Sequence, residues 1–470
     1  MMDQEDLGFL PATELAELIR TRQLSPVEYM QSLLGRIEAL EPKVNAFAHL
    51  AADQAMAAAR RAEADLMSGA HVGRLHGVPV TIKDLAITKD MPTQSGSLIM
   101  RGNRPTEDAP FVPRLRDEGA IILGKTTTSE FGWTGVSHSP LTGITHNPWK
   151  FGYNAGASSA GAGAASAAGF GPLHQGSDGA GSIRMPAHFC GVFGLKPSFG
   201  RVPNYPVNTG DLTSHVGPLT RTVADSALML EVMAGPHPLD YTSLEAGPAA
   251  YLSRLHEGVQ GKRIAYSPDL SLARVDPDVA ALVEAAARRF TDLGATVEEV
   301  PTPWAAPGPE LIRFFWSAHM TRLQPYLAKW EQQMDPGLVA CIKAADNVSV
   351  AEYQAARERK MPYVAAIHRW FKDWDILLTP AVSVAAFPAE KLMPDHWPRH
   401  DWDWVSWAEF SYPFNMSWNP AASVPCGFTA EGLPVGLQIV GKRFDDLGVL
   451  QAAAAFERRQ PWATKRPSLT

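Results

Sequence analysis

The sequence predicts an α/β protein, because short apolar runs bounded by glycine and proline alternate with helical segments. The runs at 77–84 and 120–123 are rich in β-branched residues, which favour buried strands. A helix is predicted between them at 109–118. The chain has 470 residues, a length that one large sheet wrapped in helices can fill.

The N-terminal segment, from 1 to about 70, is predicted to form a helical arm. A first helix takes Thr13 as its start signal. A second helix follows Ser25, which precedes a proline at the first helical position and a glutamate at the third. A third, alanine-rich helix is predicted over 42–67.

The segment 154–182 has an extreme composition, since most of its positions are glycine, alanine or serine. A flexible linker is one interpretation. The many alanines favour helix over coil, however, and the segment leads into the apolar run 189–195. We therefore expect tight packing, in which backbone approaches backbone or substrate without intervening Cβ atoms.

The remainder of the chain is predicted to alternate between helices and further strands of the same core. We expect strands at 261–266, 375–380 and 433–441, and helices at 279–293, 350–372 and 446–458. The sequence thus predicts a single domain over 1–470, with a core at about 71–240, a variable helical layer at about 245–400 and a return to the core at about 401–470.

Composition and charge exclude several classes of protein. A formal net charge of −7, without a dense Lys/Arg run, argues against nucleic-acid binding. Three distant cysteines cannot form a disulfide framework or a Cys-x-x-Cys metal site, so we expect buried thiols in a reducing compartment. The acidic start lacks a signal pattern, and no run of ~18 apolar residues could span a membrane. We therefore expect a cytoplasmic protein with no membrane partner.

The residues that carry chemistry suggest a serine hydrolase that lacks the usual histidine. The sequence contains neither a P-loop nor a His-Glu-x-x-His zinc motif. Ser182 follows the tight turn 179–181, where unpaired N–H groups of a helix start could surround it. Lys83 ends an apolar strand, and a buried lysine with a lowered pKa can serve as base. The alternative for Lys83 is a strand-edge lysine whose ammonium group reaches water.

At these residues the sequence resembles the amidase signature family, over about residues 10–460. The glycine- and serine-rich signature corresponds to 156–196, and further matching blocks stand at 77–84, 124–126, 146–149, 200–203, 217–221 and 432–438. The resemblance implies a large central mixed β-sheet covered on both sides by α-helices. It also implies an amidohydrolase that acts on linear carbon–nitrogen bonds.

The resemblance implies a catalytic triad. Ser182 is expected to be the nucleophile, Ser158 the bridging serine after a cis peptide bond, and Lys83 the base. The spacing between the two serines in the sequence agrees with that of the family. No metal and no other cofactor is implied.

The resemblance also implies an oxyanion hole beside the nucleophile, formed by the N–H groups of Gly179, Ala180, Gly181 and Ser182. Asp178 and Arg184 are expected to brace this turn, with a plain structural ion pair as the alternative for each. The usual Gly-Gly-Ser-Ser-Gly-Gly-Ser of the family reads Gly-Ala-Ser-Ser-Ala-Gly-Ala at 156–162. This departure bears on the shape of the acyl pocket and removes no triad atom.

Two aromatic features bear on the substrate. Trp133 corresponds to a segment that lines the acyl channel in relatives, so we expect it to bind substrate. Five tryptophans crowd into 397–418, either as a packing or subunit-contact cluster or as an aromatic wall for the substrate.

The predicted function is hydrolysis of small aryl or apolar amides through a serine acyl-enzyme, with carbamates, anilides and esters left open. The rival is the A subunit of a glutamyl- or aspartyl-tRNA amidotransferase, which shares the triad and needs a partner subunit. A catalytically inactive binding scaffold is the non-enzymatic alternative. The sequence leaves open whether the chain forms a homodimer.

Overall fold

A computed structural model, which describes residues 4–207, 210–211, 213–245 and 250–469, contains one mixed β-sheet of eleven strands. In chain order these are β1 (Phe47–Leu50), β2 (Pro79–Lys83), β3 (Ile121–Thr126), β4 (Leu173–Asp178), β5 (Phe193–Lys196), β6 (His215–Thr220), β7 (Arg263–Tyr266), β8 (Thr296–Glu299), β9 (Ile376–Pro380), β10 (Ala421–Phe428) and β11 (Pro434–Gly441). Their spatial order is β1-β3-β2-β4-β6-β5-β10-β11-β9-β7-β8.

The pairing of the strands confirms the predicted mixed sheet. Strand β2 runs parallel to β3 and β4, and β7 runs parallel to β8 and β9. The remaining pairs are antiparallel. Every residue of β2, β3, β9 and β11 is buried, as expected for strands with helices on both faces.

The α-helices follow most of the expected segments. They are Gln4–Leu7, Ala12–Arg20, Pro26–Val44, Ala52–Ser68, Phe111–Asp117, Ala160–Ala168, Arg184–Cys190, Val223–Met233, Pro277–Asp292, Gly308–Met320, Gln324–Trp330, Pro336–Lys343, Val350–Trp370, Tyr412–Met416 and Asp446–Arg459. Within the described ranges, none of them is long and apolar enough to cross a membrane.

The predicted helix over 42–67 is wrong at its start. Pro42 lies inside the preceding helix, which ends where Asn45 adopts a left-handed conformation, with φ of 54°. The next residues form β1, which pairs antiparallel with β3, and the following helix begins only at Ala52. The N-terminal segment is therefore not an all-helical arm, because it supplies an edge strand to the sheet.

Of the two expected helix starts, the one at Ser25 is confirmed and the one at Thr13 is not. Ser25 accepts hydrogen bonds from the N–H groups of Val27 and Glu28, which confirms its capping role. Thr13 lies inside its helix, which begins at Ala12 without a side-chain cap. Its N–H and hydroxyl groups donate instead to the carboxylate of Asp225, far away in sequence.

The small-residue segment 154–182 is packed as expected and does not act as a linker. Every residue of the helix Ala160–Ala168 is buried. A Cβ atom at Gly161 would lie 2.1 Å from the carbonyl oxygen of Ala46 and 2.5 Å from the amide nitrogen of Thr127. The helix can pack this closely against the chain beside β1 and β3 only because residue 161 has no side chain.

We expect Gly161→Ala to destabilise the protein, because its methyl group would overlap backbone atoms that cannot move independently of the sheet. The control is Gly35→Ala, on the exposed face of helix Pro26–Val44, where no atom lies within 4 Å of the added methyl. This control should raise the free energy of unfolding by about 0.5–1 kcal/mol. Urea unfolding of both variants checks the prediction, which fails if Gly161→Ala is as stable as wild type.

Candidate active site

Lys83 lies at the end of β2 and is completely buried. Its Nζ atom is 2.8 Å from Oγ of Ser158. The same Nζ lies 3.0 Å from Oγ and 3.3 Å from the carbonyl oxygen of Ser177. The main-chain N–H of Lys83 donates to Gln175 Oε1 at 3.0 Å, which ties β2 to β4 at this point. The structure thus excludes the alternative of a lysine whose ammonium group reaches bulk water.

Ser158 lies in the segment that leads into the helix Ala160–Ala168, after a cis peptide bond from Ala157. The N–H of Ala157 donates to the carbonyl of Gly135 at 2.9 Å. Just before it in the chain, Asn154 Oδ1 accepts the N–H of Gly156 at 2.8 Å. These bonds hold the backbone on the N-terminal side of the serine.

Ser182 lies in the turn between β4 and the helix Arg184–Cys190. Its carbonyl accepts the N–H of Ser159 at 3.2 Å, so the two serine-bearing segments are joined by their backbones. Ser158 and Ser182 are each 3% exposed, which leaves their hydroxyl groups only a narrow route to solvent. The structure therefore brings Lys83, Ser158 and the turn of Ser182 into one buried site.

Asp178, the last residue of β4, closes this turn from inside. Its carboxylate accepts the N–H of Gly181 at 2.7 Å and the N–H of Ile183 at 3.1 Å. Arg184 donates to it through Nη2 at 2.9 Å and Nε at 3.0 Å. Burial alone raises the pKa of Asp178, but the charge and hydrogen bonds of Arg184 outweigh burial and lower the pKa overall.

Arg184 extends this bracing to distant parts of the chain. Its Nη1 donates to the carbonyl of Ser411 at 2.9 Å and to Gln438 Oε1 at 2.8 Å. Asn415 also donates to Asp178, at 2.9 Å. The ion pair therefore joins the turn of Ser182 to β11 and to the helix Tyr412–Met416.

The expected oxyanion hole needs one correction, at Gly181. Its N–H is committed to the carboxylate of Asp178, because the turn folds back on that side chain. In the part of the chain that the structure describes, the N–H groups of Gly179, Ala180 and Ser182 have no acceptor. These three groups stay as the predicted donors.

The carboxylate that acts on Lys83 is that of Asp178, not that of its neighbour in sequence, Asp84. Burial lowers the pKa of Lys83 to about 7, and the negative charge of Asp178 opposes this shift. The neighbouring Asp84 instead accepts the N–H of Gln94 at 3.0 Å, and the charge of Lys125 partly offsets the effect of burial on its pKa. The same carboxylate accepts the N–H of Gly96 at 3.5 Å, so Asp84 binds the backbone of segment 94–96.

A cleft of 260 Å³ opens onto the buried lysine, and we call it the Lys83 cleft. Besides Lys83 and Ser177, it is lined by Ser95, Phe131, Gln175, His319 and Arg322, among others. None of these five residues was predicted from the sequence. Phe131, His319 and Arg322 come from segments far from the signature, and no local pattern marks them.

Trp133, expected to bind substrate, is 1% exposed and packs among other tryptophans. Its carbonyl accepts the indole N–H groups of Trp316 at 2.9 Å and Trp404 at 2.8 Å. Trp404 and Trp407, from the cluster at 397–418, are also fully buried, so these two serve packing within the chain. Contact of Trp133 with substrate stays a prediction.

The residues that the structure describes contain no group of three His, Cys, Asp or Glu side chains arranged to hold a metal ion. The three cysteines are free and buried.

Comparison with known proteins identifies the class. The amidase family model matches residues 28–450. The acylamidase of Rhodococcus erythropolis is 39% identical, with 99% of each chain covered. A bacterial aryl acylamidase of known structure has a TM-score of 0.89 at 31% identity, over 97% of each chain. The A subunit of glutamyl-tRNA(Gln) amidotransferase from Geobacter sp. (strain M21) is 34% identical, over 97% of this chain and 98% of that one.

The protein is an amidohydrolase that acts on carbon–nitrogen bonds. This follows from its relatives and agrees with the mixed sheet and with the buried lysine and serines. The chain belongs to the amidase signature family.

We expect Asp178→Asn to reduce kcat for amide hydrolysis by about 10²–10³-fold, because the turn that presents Ser182 and its N–H groups would lose its bracing. Stability should also fall, by about 3–5 kcal/mol, since Arg184 would be left buried without its carboxylate. The control is Asp446→Asn, which breaks the largely buried ion pair with Arg201. It should lower stability but spare kcat. Equal kcat losses in both variants would contradict a specific role for Asp178.

Proposed function

We propose that the protein hydrolyses small aryl or apolar amides through an acyl-enzyme on Ser182. The observation that carries this proposal is the contact between Lys83 and Ser158, because a lysine with a pKa near 7 and a serine 2.8 Å away form a proton path. A lysine can act as base in a serine hydrolase only if much of it is neutral at working pH.

The proton path follows from the hydrogen bonds of Lys83. A neutral amine has two hydrogens and one lone pair, and Ser177 offers two acceptor oxygens, at 3.0 and 3.3 Å. With both hydrogens directed at Ser177, the lone pair is left for the hydroxyl hydrogen of Ser158. Ser158 can then take the proton of Ser182 as Ser182 attacks the carbonyl carbon.

The tetrahedral intermediate carries a negative oxygen that needs donors. The N–H groups of Gly179, Ala180 and Ser182 are the proposed donors, and one such donor can contribute ~2.7–4 kcal/mol to transition-state stabilisation. The proton then returns from Lys83 through Ser158 to the leaving nitrogen, because an amide anion leaves poorly. Water then gives a proton to Lys83 along the same path and attacks the acyl-enzyme. The bond to Ser182 Oγ breaks, the proton returns through Ser158 to that oxygen, and the acid is released.

Two relatives support the substrate class. The 39% identical protein is an acylamidase, and the structure that superposes over 97% of the chain is an aryl acylamidase.

Aromatic side chains lie beside the proposed reaction centre. Phe131 lines the Lys83 cleft, and the ring of Trp316 lies 3.6 Å from where a Cβ added to Gly179 would be. Carbamates and esters have the same reacting carbonyl and belong to the same proposal. The three free, buried cysteines suit an enzyme of the reducing cytoplasm.

The second candidate is the A subunit of a tRNA amidotransferase, because such a subunit is 34% identical over nearly the whole chain. The purified chain, assayed alone with aryl amides, carbamates and esters and with glutamine, separates the two candidates. We expect turnover of aryl amides without any partner protein. Turnover of glutamine alone, stimulated by a partner subunit, would support the amidotransferase.

The acyl-enzyme predicts that hydroxylamine will divert part of the acid product to hydroxamate. Colorimetric detection of hydroxamate during turnover of an anilide measures this partition. Ser182→Ala should abolish both products while leaving the protein folded, because it removes one hydroxyl group from a turn of small residues. Acid formation at the full rate without hydroxamate would favour direct attack by water.

The pH dependence of kcat/KM tests Lys83 as the base. Lys83 accepts a proton only when neutral, so the rate should rise with pH through about 7 and level off above it. Burial also raises the pKa of Glu130 to about 7, which makes Glu130→Gln the matched control. The rising limb should persist in Glu130→Gln and be absent from the residual activity of Lys83→Ala. A limb that disappears with Glu130 instead would assign the titration to the glutamate.

A further inference from the structure

The Lys83 cleft is electropositive in a protein whose formal net charge is −7. Arg322 supplies this charge, because His319 is neutral and Lys83 acts in its neutral form. No aspartate or glutamate is found among the described residues of the wall. A positive group without a facing carboxylate in a concave site attracts anions, and neutral amides alone would not need it.

Arg322 is the charged side chain of this wall for which the described residues provide no ion-pair partner. It lies in the short 3-10 turn Thr321–Leu323, which the buried Met320 and Leu323 anchor on either side of the exposed arginine. Among the described residues, no carboxylate lies within 4.0 Å of its guanidinium group, unlike that of Arg184. Its two Nη groups donate to no described acceptor, and a free pair of this kind matches the two oxygens of a carboxylate.

Two neighbours hold the guanidinium group at the cleft. Its Nε donates to Nε2 of His319 at 3.4 Å, and its central carbon lies 6.0 Å from the ring centre of Phe131. Burial lowers the pKa of His319 to about 3, so this ring is neutral and accepts the bond without repelling the arginine. Arg322 is thereby positioned with its outer edge free.

We propose that Arg322 binds a carboxylate carried by the amide substrate, so that the preferred substrates are aryl amides with an anionic group. This inference rests on the proposed amide hydrolysis and narrows its substrate class. The carboxylate belongs at Arg322 and away from Lys83, because a second negative charge beside Lys83 would keep that lysine protonated. The carboxylate lies either on the amine part or on the acyl part of the substrate.

Two matched pairs of substrates test the proposal and distinguish the two positions. 4-Acetamidobenzoate, with the carboxylate on the amine part, is compared with neutral 4-nitroacetanilide. Succinanilate, with the carboxylate on the acyl part, is compared with the neutral anilide of 4-oxopentanoic acid. We expect Arg322→Gln to lower kcat/KM for one of the two carboxylates by about tenfold or more, chiefly through KM, while its neutral partner changes by less than about twofold.

Two further variants control for charge and for folding. Arg322→Lys should retain part of the preference, since a lysine keeps the charge but not the paired donors. Arg359→Gln removes an exposed arginine of the same helical layer that pairs with Glu310, and it should change neither ratio. If Arg322→Gln slows charged and neutral substrates equally, or if Arg359→Gln has the same effect, the proposal is overturned.

Binding to the Ser182→Ala background separates this inference from the proposed function. Calorimetry should show 4-acetamidobenzoate or succinanilate bound about tenfold more weakly when Arg322→Gln is added to Ser182→Ala. Unchanged affinities for both ligands would overturn the Arg322 site even if amides are hydrolysed. A loss of affinity without any turnover of amides in the wild type would support the site and contradict the proposed reaction.

Discussion

The buried ion pair between Asp178 and Arg184 is the interaction on which the rest of the site depends. A buried ion pair stabilises a fold only when further hydrogen bonds satisfy both charged groups. Here the carboxylate accepts two backbone N–H groups of the turn, and the guanidinium group reaches Ser411 and Gln438. The turn of Ser182 is therefore fixed by residues from distant parts of the chain.

The same ion pair also affects Lys83, the buried ionisable group that we propose as the base. Among the described residues, Lys83 forms no ion pair with a carboxylate, and burial drives its pKa down to about 7. Asp178 opposes that shift, but its charge is already paired with Arg184 and hydrogen-bonded to the turn. A free carboxylate at position 178 would hold Lys83 protonated much more strongly. Pairing Asp178 thus serves the proposed base as well as the turn.

How far the sequence predicts the structure depends on whether the cause is local or distant. The cap at Ser25 and the burial of β2 follow from adjacent residues, and both are confirmed. Strand β1 was missed, because its four residues are mostly half-buried and become a strand only by pairing with β3. The Gly181 N–H was assigned to the oxyanion because a sequence cannot show that the turn folds back on Asp178.

The Lys83 cleft was beyond prediction for the same reason. Phe131 and Arg322 lie far apart in sequence and meet only when the helical layer packs against the core. A sequence motif can reveal a contact between two residues that are close in sequence, such as Asp178 and Arg184. The residues that we propose to select the substrate carry no such pattern.

The departures from the family's usual glycines show which positions of the site the fold constrains most. Ala157 and Ala160 replace usual glycines in the serine-bearing segment and are buried, so their methyl groups fit where they lie. Glycine is kept at 161, where a Cβ would lie 2.1 Å from a carbonyl oxygen, and at 181, where φ is 118° and a Cβ would lie 2.5 Å from Ser411 Oγ. These glycines lie at close approaches of the serine-bearing segments to the surrounding structure. Close packing therefore restricts the backbone around the serines, and at these two positions it admits only glycine.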